Sequence, residues 1–568
     1  MNKVHYLPLL FFILTLAACT GTLPQNEPSV MQTPPTPRTQ GELKTFHIRI
    51  DGGNAEQCSG EADLPYPGEG TGVDCAWDHP FRALPPGETA RIQGGDALII
   101  HAGSYPMGLN AVMGLDPETC NPDYPWDCVL PPIPSGLDAE HPTRILGAGW
   151  DQGCSSPPEL WGKERAVHVL DLSGSQFVTL ACLDISDHAA CAEDHPLETY
   201  RCETHQPPFG DWAVTGLYAQ DASQITLQDI TIHGLGVHGI LAGRISDWQV
   251  ERTKLQGNGW VGWDGDIEGE DSNSGLLHFS EWVVEWNGCV ENYPAEEMLA
   301  CWAQPAGGYG DGVGTGETGG TWLIEDSRFR YNTSDGLDLL YGNEDIQVEI
   351  YQSWFEGNAG NQLKTNGPLV LENSVLIGNC AFFEGQPFTA AGNYDKDGKP
   401  ESAVDSCRAT GVTLSVVLRD DQRAELRNNT ITGEGDCLVV PECTPDSRCL
   451  TPGVVWMRNN LFQGWPDFTQ PGEPTCLFYQ ETFLVDPFDA DYSAVSGVKN
   501  DACLGAHDIC LADLGLANSN VDNFDPHLAE NSPLIDAGLL DTCTSRDYWG
   551  TIRPQGQGCD IGAHEWVD

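Results

Sequence analysis

Positive charge is scarce in this sequence. Its 568 residues contain 27 Lys and Arg against 83 Asp and Glu, which gives a formal net charge of −56. This imbalance argues against nucleic-acid partners, because binding to phosphates needs cationic side chains. It favours a chain that stays soluble in salty water, where ions screen self-repulsion, or one in which divalent cations take part.

The sequence also lacks any Cys-x-x-Cys pair, which makes a zinc site built on such pairs the weaker interpretation of its cysteines. There are 21 cysteines, and an even number remains once Cys19 is set aside. In an exported chain this predicts a disulfide framework. Four pairs of near neighbours are candidates for closing loops: Cys120/Cys128, Cys289/Cys301, Cys503/Cys510 and Cys543/Cys559.

The N-terminal apolar run, Leu9 to Leu16, is too short to cross a membrane as a mature helix. It ends in Leu16-Ala17-Ala18-Cys19, which resembles a bacterial lipobox. Residues 1–19 are therefore predicted to be a lipoprotein signal peptide with Cys19 as the lipidation site. Residues 20–44 are rich in Pro, Thr and Gln and predict a disordered tether. Because Thr20 rather than Asp follows the cysteine, the resemblance implies a lipid-anchored outer-membrane or cell-surface protein, with the periplasmic face as the alternative.

In the central region the apolar residues do not recur with the 3.6-residue period of a helix. They recur at every second residue, and one extra residue interrupts this alternation in each copy. Each copy of this pattern reads as two short strands, a bend between them and a Gly-Asn turn. Successive copies start 21 to 31 residues apart where no insertion intervenes. Nine copies start at Val178, Ile225, Trp248, Leu277, Trp322, Val348, Leu369, Ala424 and Val455.

Repeats of this size must stack on one another to bury their apolar sides. We predict an all-β fold, a parallel β-helix, which crossover chirality makes right-handed. The pattern resembles the right-handed parallel β-helix family that includes the pectate lyases. Residues 161–470 would form the coils, 45–160 an N-terminal capping segment and the start of the β-helix, and 471–568 a C-terminal capping segment. A structural asparagine ladder is predicted at Asn258, Asn287, Asn332, Asn358 and Asn379.

The repeat also predicts which polar side chains stack on adjacent coils. Counted from the start of each copy, Asp338 and Lys364 share one register position, about 4.8 Å apart between coils. Aligning the segment Asp311–Gly314 with Asp335–Asp338 places Asp311 on Asp335, with Gly314 leaving space beside Asp338. Three carboxylates next to one lysine are suitable for a Ca²⁺ site beside a base.

The segments "DGLD" and "GNQLKTNG" resemble family 9 of the polysaccharide lyases, over roughly 60 of the 568 residues. The resemblance implies that Asp311, Asp335 and Asp338 hold Ca²⁺ and that Lys364 is the Brønsted base. It implies β-elimination on an acidic, uronate-containing polysaccharide. Ser334 stands where the family has a further Asp, so one ligand is missing.

Other interpretations of the same residues stay open. Asp338 and Lys364 would also fit an ordinary surface ion pair between coils, worth at most about 1 kcal/mol. A glycoside hydrolase would use paired carboxylates, for which Asp264 and Asp266 are the candidates. A non-catalytic glycan-binding or adhesion protein is the third alternative. Trp260, Trp263, Trp282 and Trp286 would serve either a sugar groove or the core. We expect a monomer that contacts the membrane only through its lipid anchor.

Overall fold

The structure is a computed structural model. It describes residues 43–567 except 114, 125, 268–271, 303–309, 390–392, 395–399, 403–405, 420–421, 443–452, 479–487 and 500–502. The predicted signal peptide, Cys19 and nearly all of the predicted tether lie outside the described residues. Leu43–Asp568 forms one compact unit. Among the described residues, no helix is long and apolar enough to cross a membrane.

Short parallel strands form three stacks, and from Thr143–Gly147 to Cys476–Phe478 each turn of the chain adds one strand to each stack. The first stack contains Thr45–Gly53, Ala97–Ile100, Thr143–Gly147, the starts of Gln176–Asp187 and Ser223–His233, Ser246–Glu251, Ser274–Ser280, Thr321–Glu325, Gln347–Tyr351, Leu369–Glu372, Arg423–Arg427, Val454–Arg458 and Phe488–Asp491.

The second stack follows after a bend. It contains Ser104–Gly108, Glu159–Lys163, the ends of Gln176–Asp187 and Ser223–His233, Lys254–Gln256, Val283–Glu285, Arg328–Arg330, Trp354–Glu356, Val375–Gly378, Thr430–Gly433, Leu461–Gly464, Ala494–Ser496 and Ile509–Cys510. The two long bent strands join both stacks into one 24-stranded sheet.

The third stack is a separate ten-stranded sheet, and it carries the candidate site. Its strands are Ala166–Asp171, Ala213–Gln220, His238–Gly243, Val261–Asp264, Val313–Gly314, Leu337–Leu339, Leu363–Asn366, Leu414–Val417, Cys437–Glu442 and Cys476–Phe478. All its pairings are parallel. This architecture is a parallel β-helix, so the predicted fold is confirmed.

Helix is almost absent from the described residues. One α-helical turn, Pro117–Cys120, accompanies five 3₁₀ turns: Pro80–Arg82, Glu198–Tyr200, Arg408–Gly411, Val521–Asn523 and Leu540–Thr542. Three small antiparallel hairpins lie outside the stacks: Cys289–Asn292 with Glu297–Cys301, Asn393–Tyr394 with Pro400–Ser402, and Leu516–Asn518 with Asp525–Leu528.

The extra residue in each repeat makes the bend between the first two stacks. Gln352 and Asn373, at this position, have the left-handed φ values of 48° and 47°. The residue that follows is a buried serine in both coils, and its hydroxyl accepts the N–H of the preceding coil. The N–H of Ser353 thus donates to Ser374 Oγ at 3.1 Å. At the break in the alternating pattern, the serine hydroxyls therefore accept hydrogen bonds from buried backbone N–H groups whose strand pairing is interrupted.

The predicted asparagine ladder is confirmed for four members. Side-chain bonds run from Asn258 to Asn287, from Asn287 to Asn332 and from Asn332 to Asn358, at 2.9, 2.9 and 2.8 Å. The next bond goes from Asn358 to Gln362 instead, at 2.8 Å. Asn379 accepts the N–H of Gly357 at 2.7 Å, so its place in the ladder was predicted wrongly, because Gln362 already fills the acceptor position.

Disulfides are abundant, as predicted. Nine pairs form among the described residues, and they include all four predicted loop-closing pairs. Cys443 and Cys449 lie outside the described residues. Such a density of disulfides is typical of an extracytoplasmic protein.

The ends of the chain contact the coils in different ways. Thr45–Gly53 already belongs to the first stack, so the N-terminal segment continues the β-helix. Part of the C-terminal segment lies along the side of the coils instead of across their end. Asn428 Nδ2 donates to the carbonyl of Asp560 at 3.1 Å, and Asn459 Nδ2 donates to that of Leu539 at 3.1 Å.

The long connections cluster beside the third sheet. Four of the connections from the second stack to the third sheet are extended: residues 188–212, 286–312, 379–413 and 465–475. Disulfides hold three of them, Cys191–Cys202, Cys289–Cys301 and Cys380–Cys407. The described parts of these loops therefore flank one edge of the outer face of the third sheet.

Candidate active site

The strand register places the predicted site residues as the repeat suggested. Asp338 pairs with Lys364 on the next coil, and Gly314 pairs with Asp338 from the preceding one. Their inward neighbours Leu337 and Leu363 are fully buried in the core. Since side chains alternate along a strand, Asp338 and Lys364 point to the outer face, as predicted.

Asp311 and Asp335 lie in the turns that enter the third sheet. The N–H of Asp335 donates to Asp311 Oδ1 at 2.9 Å, and the N–H of Asn361 donates to Asp335 Oδ1 at 2.6 Å. These bonds connect equivalent positions on three successive coils, so the predicted stacking of Asp311 on Asp335 is present. Both aspartates are buried, at 2% and 4% exposure.

Lys364 bridges two of the three carboxylates. Its Nζ donates to Asp335 Oδ2 at 2.5 Å and to Asp338 Oδ2 at 3.0 Å. The side chains of Lys364 and Asp335 are 17% and 6% exposed. The alternative of an exposed surface pair was therefore wrong about the environment, because the lysine enters the buried turn of Asp335 as well as contacting Asp338.

The charges of the cluster shift one another's pKa. Burial on its own would lower the pKa of Lys364, but Asp335 and Asp338 outweigh burial and raise it above its usual range. Burial raises the pKa of Asp338 to about 6, although Lys364 opposes this shift. Burial, and then the charges of Asp335 and Asp338, raise the pKa of Asp311 well above its usual range. One ammonium is therefore too little positive charge for three carboxylates at this depth.

The donor set fits a hard divalent cation. Carboxylate oxygens of Asp311, Asp335 and Asp338 lie within 4.8 Å of one another. In each carboxylate Oδ1 accepts a backbone N–H, from Asp335, Asn361 and Leu340 respectively. Lys364 contacts Oδ2 of Asp335 and of Asp338, and the Ser334 side chain hydrogen-bonds to Asp311, so a cation shared by the three carboxylates would compete with these contacts. Oxygen ligands of this kind suit Ca²⁺.

Gly314 keeps the space beside these oxygens open. A Cβ at this position would lie 3.0 Å from Asp311 Oδ2, which is tighter than an ordinary contact. The glycine follows Asp311 by three residues and stacks directly on Asp338. A side chain here would press into the region that the three carboxylates share.

Ser334, where a further acid was expected by resemblance, is buried and contacts an arginine. Arg408 donates through a guanidinium N–H to Ser334 Oγ at 3.0 Å. Arg408 directly follows Cys407 of the Cys380–Cys407 disulfide, in a connection that begins 45 residues after Ser334 in sequence. Sequence reasoning missed Arg408, because it lies in an insertion that does not follow the repeat.

The hydrolase pair is arranged differently. Asp264 lies in the same outward row as Asp338, with Gly314 between them. Its Oδ1 accepts the N–H of Asp266 at 2.8 Å, and its Oδ2 lies 3.3 Å from His238 Nε2. Burial, and then the charge of Asp264, raise the pKa of Asp266. Asp264 is thus engaged with its own turn and a histidine.

The four tryptophans divide between core and surface loops. Trp263 and Trp282 are fully buried inside the coils. Trp286 packs against Tyr331 and Phe382 outside the second stack, with ring centroids 4.7 and 5.9 Å away. Trp260 donates its indole N–H to the carbonyl of Glu193. Because they are fully buried, Trp263 and Trp282 are not available to bind a sugar.

Comparisons with known proteins return matches in structure alone. No family model matches the chain, and no curated protein matches it in sequence. A pectate lyase, Pel9A, is 15% identical, covers 92% of this chain and 97% of its own, and has a TM-score of 0.40. A rhamnogalacturonan lyase is 13% identical over 84% and 91%, with a TM-score of 0.39. The periplasmic alginate epimerase AlgG is 8% identical over 61% and 76%, with a TM-score of 0.27. These superpositions are loose, so the fold assignment rests on the strand register described above.

Proposed function

We propose that the chain is an exported polysaccharide lyase that cleaves a uronate-containing polysaccharide by β-elimination. Lys364 is the base in this proposal, and Asp311, Asp335 and Asp338 hold Ca²⁺. The observation that supports it is the convergence of three carboxylates, two of them buried and that of Asp338 half-buried, with one lysine beside the outer face of the third sheet. The motif resemblance to family 9 of the polysaccharide lyases points in the same direction.

The reaction removes the C5 proton of a uronate, which lies next to a carboxylate and is therefore weakly acidic. Ca²⁺ bound at the cluster would neutralise that carboxylate and make the proton easier to remove. The electrons of the C5–H bond form a C4=C5 double bond while the C4–O bond breaks. The products are one chain with an unsaturated end and one that leaves with its oxygen, which takes up a proton.

Lys364 can accept a proton only when its ammonium no longer bridges Asp335 and Asp338. In the structure both carboxylates raise its pKa, which keeps the amine protonated. Ca²⁺ held by these carboxylates would compete with the ammonium and lower the pKa of Lys364, because a nearby positive charge disfavours protonation. The proposal therefore requires that activity depend on the cation.

The direct test is incubation of the protein with a panel of uronate polymers, with Ca²⁺ or with a chelator. Polygalacturonate, rhamnogalacturonan and alginate form the panel, and ultraviolet absorbance follows the unsaturated product. The proposal expects absorbance to rise with at least one polymer in Ca²⁺ and to stop in chelator. New reducing ends without absorbance would instead identify a hydrolase. Binding without either product would identify a non-catalytic glycan-binding protein.

Lipid attachment at Cys19 and a place on the outer membrane or cell surface are also part of the proposal. The lipobox-like sequence supports this part of the proposal, together with the disulfide density of the described residues. Metabolic labelling with a fatty acid tests it, with Cys19→Ser as the control. Label that persists in the Cys19→Ser protein would contradict anchoring at this residue.

A further inference from the structure

A second convergence of ligand atoms lies in the N-terminal segment, away from the acid cluster in sequence. It consists of His47, Asp63 and His101. His101 Nε2 lies 3.5 Å from His47 Nδ1 and 3.2 Å from Asp63 Oδ1. The donor atoms of the three residues all lie within 4.8 Å of one another.

Three separate pieces of the chain bring these groups together. His47 lies in Thr45–Gly53, which pairs in parallel with Ala97–Ile100 so that His47 is opposite Ile99. His101, two residues further on, therefore lies diagonally across from His47. Asp63 belongs to the loop that the Cys58–Cys75 disulfide closes. The N–H of His47 donates to the carbonyl of Gly60 at 2.8 Å, which holds this loop against the strand.

The spacing of the three residues fits the ligand separations of a metal site. Zinc binds histidine nitrogens at about 2.0–2.1 Å with tetrahedral geometry, which separates two ligand atoms by roughly 3.3–3.4 Å. The two separations from His101 Nε2, 3.5 and 3.2 Å, bracket that distance. Two histidines and one carboxylate, with a fourth position for water, form a common zinc-type ligand set.

We propose that His47, Asp63 and His101 bind a divalent transition-metal ion of the Zn²⁺ type. The ion would join the first two strands of the first stack to the disulfide-closed loop, so its role would be to stabilise the N-terminal end of the β-helix. This site is independent of the acid cluster. Its ligands are imidazoles and one carboxylate, whereas the acid cluster offers only oxygen and suits Ca²⁺.

The surrounding charges are compatible with a metal. Arg49 donates to Asp63 Oδ1 at 2.8 Å and is paired with Asp51 at 2.8 Å. Asp51 therefore balances the charge of Arg49, and Arg49 holds Asp63 in place beside the histidines, as groups around metal ligands commonly do.

The test is calorimetric titration of the chelator-treated, full-length protein with Zn²⁺ in excess Ca²⁺, which occupies oxygen-only sites. The proposal expects one saturable Zn²⁺ site and, with Co²⁺ as the probe, the intense visible absorption of tetrahedral coordination. His47→Ala and His101→Ala should each weaken Zn²⁺ binding at least about tenfold. Zn²⁺ should also raise the unfolding temperature of the wild type more than that of either variant.

His507→Ala is the matched control. His507 is an exposed histidine whose Nδ1 lies 2.8 Å from Asp491 Oδ2, and it belongs to none of the three-ligand clusters found among the described residues, so its loss should leave Zn²⁺ binding unchanged. Asp63→Asn decides the matter if a histidine variant misfolds, because Asp63 is exposed and the amide retains its shape. Absence of a Zn²⁺ site tighter than about 0.1 mM, or the same affinity in the His47→Ala/His101→Ala protein, overturns the proposal.

Discussion

Two rows of residues run side by side along the third sheet, one residue apart in nine of its ten strands. The inward row is apolar throughout: Leu170, Leu217, Ile240, Trp263, Val313, Leu337, Leu363, Leu414, Val439 and Phe478. The outward row has no common character: Asp171, Tyr218, Leu241, Asp264, Gly314, Asp338, Lys364, Ser415 and Val440.

The difference separates what the fold requires from what it merely permits. Each inward side chain stacks on its neighbours and excludes water, so any coil needs an apolar residue there. The outward position is free of that requirement. A half-buried lysine between two carboxylates costs desolvation energy, and the fold does not require it. The two adjacent charged residues of the outward row, Asp338 and Lys364, are therefore the part of the sheet that needs a functional explanation.

The largest expected effect is on catalysis in the outward row. Lys364→Arg keeps the positive charge beside Asp335 and Asp338 but removes the proton acceptor, because a guanidinium stays protonated. On a polymer that the wild type cleaves, we expect elimination to fall by about 10²–10⁴-fold. Lys254→Arg, at a lysine 3.8 Å from Glu285 on the second stack, is the control. Full turnover in Lys364→Arg would transfer the role of base to another group.

The inward row should respond in stability instead. Leu363→Ala removes a fully buried side chain directly beside Lys364. The lost burial and the cavity should lower the free energy of unfolding by about 2–5 kcal/mol. Denaturant titration measures this, and Cys380–Cys407 must stay oxidised throughout. A loss below about 1 kcal/mol would mean that this part of the inward row is loosely packed.

Much of this contrast was predictable from the sequence, and the reason is the repeat. Stacked coils share one register, so aligning successive copies placed Asp338 on Lys364 and Asp311 on Asp335. The contact from Lys364 to Asp335 was not predictable, because it crosses from the strand to the turn of the preceding coil. Arg408 and Asp63 come from loops outside the repeat, whose paths depend on disulfides and on hydrogen bonds to distant strands.

A third prediction concerns Lys364→Ala in the resting protein. Removing the ammonium leaves Asp335 and Asp338 buried without a counter-charge, so stability at pH 7 without divalent ions should fall by about 2–3 kcal/mol. This exceeds the 1 kcal/mol expected for a surface pair. Ca²⁺ should restore most of the loss, because it supplies the missing charge. A change within about 0.5 kcal/mol under both conditions would show that the pair contributes little to stability.

A fourth prediction concerns pH. Burial raises the pKa of Asp338 from its ordinary value near 3.8 to about 6. The folded state therefore binds more protons than the unfolded state between these values, and stability should decrease as pH rises from about 4 to 6. Asp338→Asn removes the contribution of Asp338 to this slope, worth roughly 1–3 kcal/mol. Unfolding titrations at pH 4, 5, 6 and 7 measure it. Parallel curves for wild type and Asp338→Asn would place the titrating proton elsewhere.

The smallest expected effect tests the space in the outward row. Gly314→Ala places a methyl group 3.0 Å from Asp311 Oδ2, so the carboxylate must move by a few tenths of an ångström. If Asp311 holds Ca²⁺ with that oxygen, affinity should fall by about two- to tenfold, or roughly 0.4–1.4 kcal/mol. The measurement is the rise in unfolding temperature with added Ca²⁺. Leu241→Ala, in the same row but two strands away on the N-terminal side, should leave that rise unchanged. Equal responses in Gly314→Ala and wild type would remove Asp311 from the ligand set and leave Asp335 and Asp338 as its only proposed carboxylates.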